Sequence, residues 1–329
     1  MYLAVLLVFS ATTPRFRTGE NAQNILIGYS HIAILAIGMT FPIVMAGIDL
    51  SIGSVLGLTG MVIFDLSVLS GAPGALIILI ALAGGVLLGA LNGFLIVRLN
   101  LSPFIVTLAG YATWRGVTYW ISGRQLRPDT STSAIEDPTL LRIDGSIGSI
   151  PYAFLYLIVI GLAAYWVMQK TKIGRDIYSV GGNARAAHLA GIDVMRAHVV
   201  AYAISGLCAA VVALILTSRQ LTSTEDLGSG FELSAIAAAV VGGASLLGGV
   251  GGVLGPIIGA FLIGTLAVGL TLKGVSTYAQ QVVSGVILVG AVAFDRWRQV
   301  RERRRALVQR TGRVHSAANP IRPVADVPS

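Results

Sequence analysis

Apolar runs of about twenty residues recur along almost the whole chain, and no other feature constrains its fold as much. A helix needs roughly 20 apolar residues to cross a bilayer. Candidate spans lie at 1–12, 24–46, 50–70, 74–98, 103–123, 151–169, 196–217, 231–247, 254–272 and 276–295. Of the 329 residues, 55% are hydrophobic and 12% charged. A soluble domain carries roughly 25% charged residues and could not cover so apolar a surface. Disorder is excluded by the same composition. The single cysteine, Cys208, excludes a disulfide framework and a cysteine metal site. The reading is an all-α polytopic membrane bundle of about ten helices.

The net charge of +8 is uneven. Residues 296–329 hold nine arginines against Glu302 and Asp326, so nearly all the excess lies in this tail. We read 1–295 as a membrane domain and 296–329 as an Arg-rich, disordered cytoplasmic tail resting on anionic membrane lipid, not on nucleic acid. Lys170, Lys172, Arg175, Arg185 and Arg196 place 170–196 on the cytoplasmic side as well. Segments 124–150 and 218–230, richer in acids, suit the outside. Ten crossings satisfy these assignments with both termini inside. Arg15 and Arg17 then fall outside, a mild exception. The eighth candidate is the weakest, and it is kept as a crossing because a re-entrant segment would put the arginine tail outside. The first run, MYLAVLLVFSA, lacks the basic start and cleavage site of a signal peptide. We expect a partial first helix or a start within it.

Gly85, Gly89 and Gly93 repeat at four-residue spacing in the fourth span, and Gly251, Gly255 and Gly259 do so around the ninth. Small residues let membrane helices approach closely. The two neighbourhoods, five spans apart, hint at an inverted repeat of spans two to five and seven to ten. Two unrelated glycine seams would give the same pattern.

No P-loop is present: the lysines are Lys170, Lys172 and Lys273, and none follows a glycine. If ATP drives this chain, another subunit binds it. The cytoplasmic stretch 170–195 contains Gly181 and Gly182, then Asn183 as a helix cap, an alanine-rich turn and Gly191 as a stop. It is either a short rigid knob for a partner's groove or an ordinary connecting loop.

This stretch, GRDIYSVGGNARAAHLAGI, resembles the coupling-helix loop of the ribose-type sugar ABC importer permeases, with its GGN-x-x-A-A-x-x-x-GI pattern. AIGMTFPIVMAGIDLSIGSVLGLTG (36–60), LSPFIVTLAGYATWRGVTYWISG (101–123) and FELSAIAAAVVGGASLLGGVGGVLGPIIGAFLIG (231–264) resemble three further stretches of that family in the same order. GVSTYAQQVVSGVIL (274–288) also fits. The details of GMTFPIV…GIDLSIGS and GGVGGVLG look closest to the galactofuranose-type branch. There are departures. Pro42 stands where the family usually has an aliphatic residue and should kink the second span. Ser234 replaces the usual Asp.

The resemblance implies a permease subunit that carries a ribose-, galactose- or galactofuranose-like monosaccharide by alternating access. It implies three partners: a separate ATP-binding-cassette subunit, a second permease chain (a homodimer or a paralogue), and a periplasmic or lipid-anchored sugar-binding protein. The setting would be the bacterial inner membrane. The ATPase subunit would meet Gly181, Gly182, Asn183, Ala186, Ala187, Ala190 and Gly191. No cofactor is expected.

Several residues are candidates for the pathway, because ionisable groups inside a membrane are costly. Asp49 lies between Gly47 and Gly53, where Asp49 or Ser51 either caps a restarted helix or meets sugar. Arg115 either snorkels to the surface, pairs with Asp65 or Glu232, or bonds sugar hydroxyls. Asn92 suits an interhelical hydrogen bond. Phe104, Thr107, Tyr111 and Trp114 share helical spacing, as a packed stripe or a sugar-stacking face. Glu232 sits at a helix start, where the dipole accounts for it. The four histidines share no metal-ligand spacing, and nothing supports catalysis. Rival readings are an ion-coupled secondary transporter using Asp49 and Asp65, and a permease for a non-sugar such as a branched-chain amino acid.

Overall fold

A computed structural model describes residues 2–125 and 134–276 and parts of 277–293. The Arg-rich tail lies outside the described residues, and the tenth candidate span does so in part. The helices are α1 (Tyr2–Thr12), α2 (Gly19–Val44), α3 (Ile52–Val68), α4 (Gly74–Arg98), α5 (Pro103–Gln125), α6 (Pro138–Leu141), α7 (Tyr152–Lys170), α8 (Lys172–Leu189), α9 (Val194–Gln220), α10 (Phe231–Val241) and α11 (Leu254–Leu272). A small antiparallel hairpin, β1 (Ser146–Ile147) and β2 (Ile150–Pro151), precedes α7. The chain is therefore an all-α membrane protein. Five of these helices are long and apolar enough to span a bilayer: α2, α4, α7, α9 and α11.

Helices α2 and α9 form the centre. Their most apolar stretches are 78% and 67% buried inside the protein, against 28% for α4 and for α7. The outer helices turn Leu79, Leu87, Val159, Leu162 and Trp166 outward. An apolar surface of that extent is what lipid covers.

The central helices have clear punctuation. Thr18 caps α2 by accepting the Asn21 N–H, and Asp193 caps α9 by accepting that of Arg196. At its far end α2 closes with a Schellman motif. The Gly47 N–H reaches the Pro42 carbonyl, the Ala46 N–H reaches that of Ile43, and Ala46 takes φ 58°. Pro42 thus falls in the last turn of α2, where its carbonyl accepts the terminating bond.

Glycines set the tightest packing. Gly85, Gly89 and Gly93 of α4 lie against the α9 main chain at Gly206, Tyr202 and His198. A methyl group at any of them would collide with a carbonyl there, so the two antiparallel helices need those hydrogens. Gly255 and Gly259 of α11 lie against α10 instead, at Gly242 and Ala238. The two glycine triplets therefore do not form equivalent surfaces. The packing partners nevertheless exchange in pairs. Helix α4 packs on α9 as α11 does on α2, and α3 on α9 as α10 does on α2. Likewise α3 packs on α4 as α10 does on α11. A twofold repeat, inverted or parallel, produces that exchange.

Besides α5, which is 23 residues long but not apolar enough to count among the five, two candidate spans differ from expectation. The eighth, expected over 231–247, is an α-helix only to Val241. Eleven residues rise about 16 Å, half a bilayer core. Turns with positive φ at Gly243, Gly248 and Gly249 then carry the chain to α11. The third, α3, is 17 residues long and starts deep in the bundle.

Candidate functional site: the interhelical turn, the loop clamp and the α8 knob

In the turn 45–51 between α2 and α3, Ala46 is exposed and Ile48 and Leu50 are half-buried, while Asp49 is the fully buried centre. Its Oδ1 accepts the Ser51 N–H (3.1 Å) and the Ser51 hydroxyl (2.6 Å). Its Oδ2 accepts the Ser205 hydroxyl from α9 (2.7 Å). Ser51 in turn accepts Asn92 Nδ2 from α4 (2.8 Å), and Thr107 of α5 donates to the Ile48 carbonyl (3.0 Å). Three neutral donors surround the carboxylate, as a buried acid requires. Neither Asp49 nor Ser51 caps α3 through a side chain: Ser51 occupies the cap position without such a bond, and its N–H and hydroxyl turn back to Asp49. Asn92 makes the interhelical bond expected of it.

Arg115 holds a loop against the first turn of α3, whose Gly53 lies two residues beyond Ser51. Arg115 is only 6% exposed. Its Nη1 donates to the Glu225 carbonyl (2.6 Å) and the Leu227 carbonyl (3.0 Å), and its Nη2 to the Gly53 carbonyl (3.4 Å). The three expected readings were snorkelling, pairing with an acid, and sugar contact. What this structure contains is a fourth arrangement, a guanidinium fork on main-chain carbonyls. Ser122 donates to Glu225 and Tyr119 to Asp226, so α5 holds the loop at three places. Glu232 is buried beside the first turn of α3, against Gly53. The dipole it faces is that of α3 as well as its own helix. Its Oε2 and Arg115 Nε have no hydrogen-bond partner among the described residues.

The expected stripe on α5 divides. Phe104 points outward at 52% exposure, together with Ile105 and Leu108, while Thr107 is fully buried. Tyr111 is half-buried, and so is Trp114, whose Nε1 is enclosed.

Helix α8 is two helices joined at Asn183, whose backbone is extended (φ −163°, ψ 99°). Asn183 Oδ1 accepts the Ala186 N–H (2.9 Å), so Asn183 caps a second helix of one and a half turns. It ends at Gly191, with φ 79° and an Ile192 N–H to Ala187 carbonyl bond. Gly182, Asn183, Ala186, Ala190 and Gly191 are exposed. Gly181 and Ala187 face the protein. Leu189, which the sequence reading passed over, is 83% exposed at the tip. Its signal was an apolar residue inside a polar segment. Ser205 was also missed, because a serine in a membrane helix normally bonds its own preceding turn.

The family model described as "Branched-chain amino acid transport system / permease component" matches residues 21–292. The chain belongs to that family. It is 37% identical to the ribose import permease protein of Haemophilus influenzae over 296 residues, covering 90% of this chain and 91% of that one. It is 36% identical to the D-allose transport system permease protein of Escherichia coli, covering 89% and 88%. It is 34% identical to the xylose transport system permease protein of Escherichia coli, covering 89% of each. These names agree with the ribose-type resemblance and not specifically with its galactofuranose-type branch. No solved structure matches the chain.

Proposed function

We propose that the chain is the membrane permease subunit of an ATP-binding-cassette importer and carries a monosaccharide across the bacterial inner membrane. The proposal includes a separate ATPase subunit, a second permease chain and a sugar-binding protein outside. Three relatives whose names specify ribose, allose and xylose, each matched over about nine-tenths of the chain, support sugar as the cargo. The lysines and arginines of 170–196 support a cytoplasmic position for α8.

The observation that carries the reading is the second half of α8. It is a capped, glycine-terminated helix whose small residues lie exposed around Leu189. A rigid knob of this kind loses little entropy on docking into a groove. ATP would drive transport only by favouring one of two states of the permease, so the knob must transmit that preference. Asp49, Ser51, Asn92, Phe104, Thr107, Arg115 and Glu232 are proposed to lie on or beside the pathway. The outward face of α5 at Phe104, Ile105 and Leu108 suits the second permease chain.

The test is purification of the tagged chain from its native membrane, with and without Leu189→Asp and Ala186→Trp. An ATPase subunit should accompany the parent and be reduced at least tenfold with either variant, while the variants remain folded. Sugar uptake without any associated ATPase would overturn the reading in favour of ion coupling through Asp49 and Asp65. An ATPase complex that imports amino acids and no sugar would correct the cargo alone.

A further inference from the structure

Gly181 was expected at the ATPase contact, yet it faces inward. A methyl group on it would coincide with the carbonyl of Val44, the last residue of α2, and would press on the Gly249 N–H. That carbonyl is capped by a different segment: Gly249 donates to Val44 O at 2.8 Å. Gly248 lies against both the Gly181 carbonyl and Ala46. Three residues before Gly181, the Tyr178 hydroxyl donates to the Gly251 carbonyl at 2.7 Å. The first half of α8 thus rests directly on Val44 at the end of α2 and on the chain reversal 242–253, which in turn touches the reversal 45–51 at Ala46. The two reversals are the breaks that follow α2 and α10.

The turn 45–51 is held equally firmly on its other side. Five residues after Val44, Asp49 and its neighbours bond α4 through Asn92, α5 through Thr107 and α9 through Ser205. The Schellman bonds stiffen the interval between. Close-packed, hydrogen-bonded contacts of this kind move together or switch, because they have no slack to absorb a shift.

We propose that Gly181 and Tyr178 are positioning residues which pass a displacement of α8 through Val44 to the Asp49 turn, and from there to α4, α5 and α9. The inference rests on the proposed ATPase docking at the α8 knob, and it assigns a separate task to the buried half of the same helix. The knob would receive the partner, and the Tyr178–Gly181 face would deliver the motion.

The experiment places a reporter on the turn. Ile48→Cys in a Cys208→Ala background is reacted with a membrane-impermeant maleimide in inside-out native vesicles that retain the ATPase subunit. Labelling is timed without nucleotide and with ATP plus vanadate. The expected result is a rate that changes at least fivefold with nucleotide. Tyr178→Phe should reduce that change to less than twofold, as should Gly181→Ala, while ATPase co-purification stays at the parental level. Tyr178→Phe removes one hydroxyl and guards against a folding defect in Gly181→Ala.

The inference is overturned by a nucleotide-dependent rate that persists in both variants, or by a parental rate that nucleotide does not alter. It is overturned too if both variants lose the ATPase, since the contact would then serve docking. Absence of any ATPase from the parent would instead remove the proposed function itself.

Discussion

The Ser205 hydroxyl donates to Oδ2 of Asp49 across 2.7 Å, tying the middle of α9 to a turn 156 residues earlier. The bond joins the two halves of the bundle at a fully buried polar point. Ser205→Ala should cost about 1 kcal/mol, because the carboxylate keeps its two bonds from Ser51. Asp49→Ala strands all three donors in an apolar interior and should cost about 3 kcal/mol or more. Thermal unfolding of the purified variants in one detergent checks the order. Equal effects would mean that the carboxylate does not organise the turn.

The α4–α9 seam carries its own control. Gly85→Ala and Gly89→Ala place a methyl group on the α9 main chain and should destabilise by about 1–3 kcal/mol each. Their neighbour Gly84 has nothing within 4 Å of the site of a methyl group. Gly84→Ala should therefore be neutral or stabilising by up to about 1 kcal/mol, through helix propensity alone. The comparison is read from melting temperatures and monodispersity. A destabilised Gly84→Ala with an unaffected Gly89→Ala would contradict the packing described.

Much of this was legible beforehand because hydrophobic run length and small-residue spacing are local signals. The long apolar helices, the Asn183 cap and the Gly191 stop follow from residue types within a few positions. The length of α10 did not, because the apolar run 231–247 continues past the helix end. The turns at Gly248 and Gly249 depend on what Val44 and Gly181 offer across the bundle. Arg115 shows the same limit. Its sequence neighbours indicate a charged group within a span, but its partners are carbonyls 110 and 112 residues away. Which side of α8 is covered, and hence that Gly181 and Ala187 face inward, also depends on distant contacts.

Asp137 provides a test by pH. It caps α6 and also accepts the Gly74 N–H at the start of α4. Burial raises its pKa, but main-chain N–H bonds from Leu140, Thr139 and Gly74 outweigh that and hold it below the usual carboxylate value. A depressed folded-state value means that its contribution is complete above the unfolded value, near pH 4, and is lost as pH falls through the folded one. The parent should lose stability relative to Asp137→Asn as pH drops from about 5 to 3. The difference in melting temperature between the two proteins across that range is the measurement. A constant gap would show that the carboxylate charge does not hold the cap.

Arg115 should decide whether the loop 221–230 stays docked. Its two bonds from Nη1 and one from Nη2 fit a planar fork, which a single ammonium cannot reproduce. Arg115→Lys should therefore keep the charge near Glu232 but release part of the loop, and Arg115→Ala should release all of it. The alanine variant also leaves the Glu225 and Leu227 carbonyls and the buried Glu232 without that cation, a loss of about 3 kcal/mol or more. Hydrogen exchange of the 222–229 amides should rise at least tenfold in Arg115→Ala and less in Arg115→Lys. Exchange over 184–192, at the far end of the bundle, should stay unchanged. Equal rises in both regions would point to global loosening. An unchanged loop would mean that Ser122 and Tyr119 suffice to hold Glu225 and Asp226 in place.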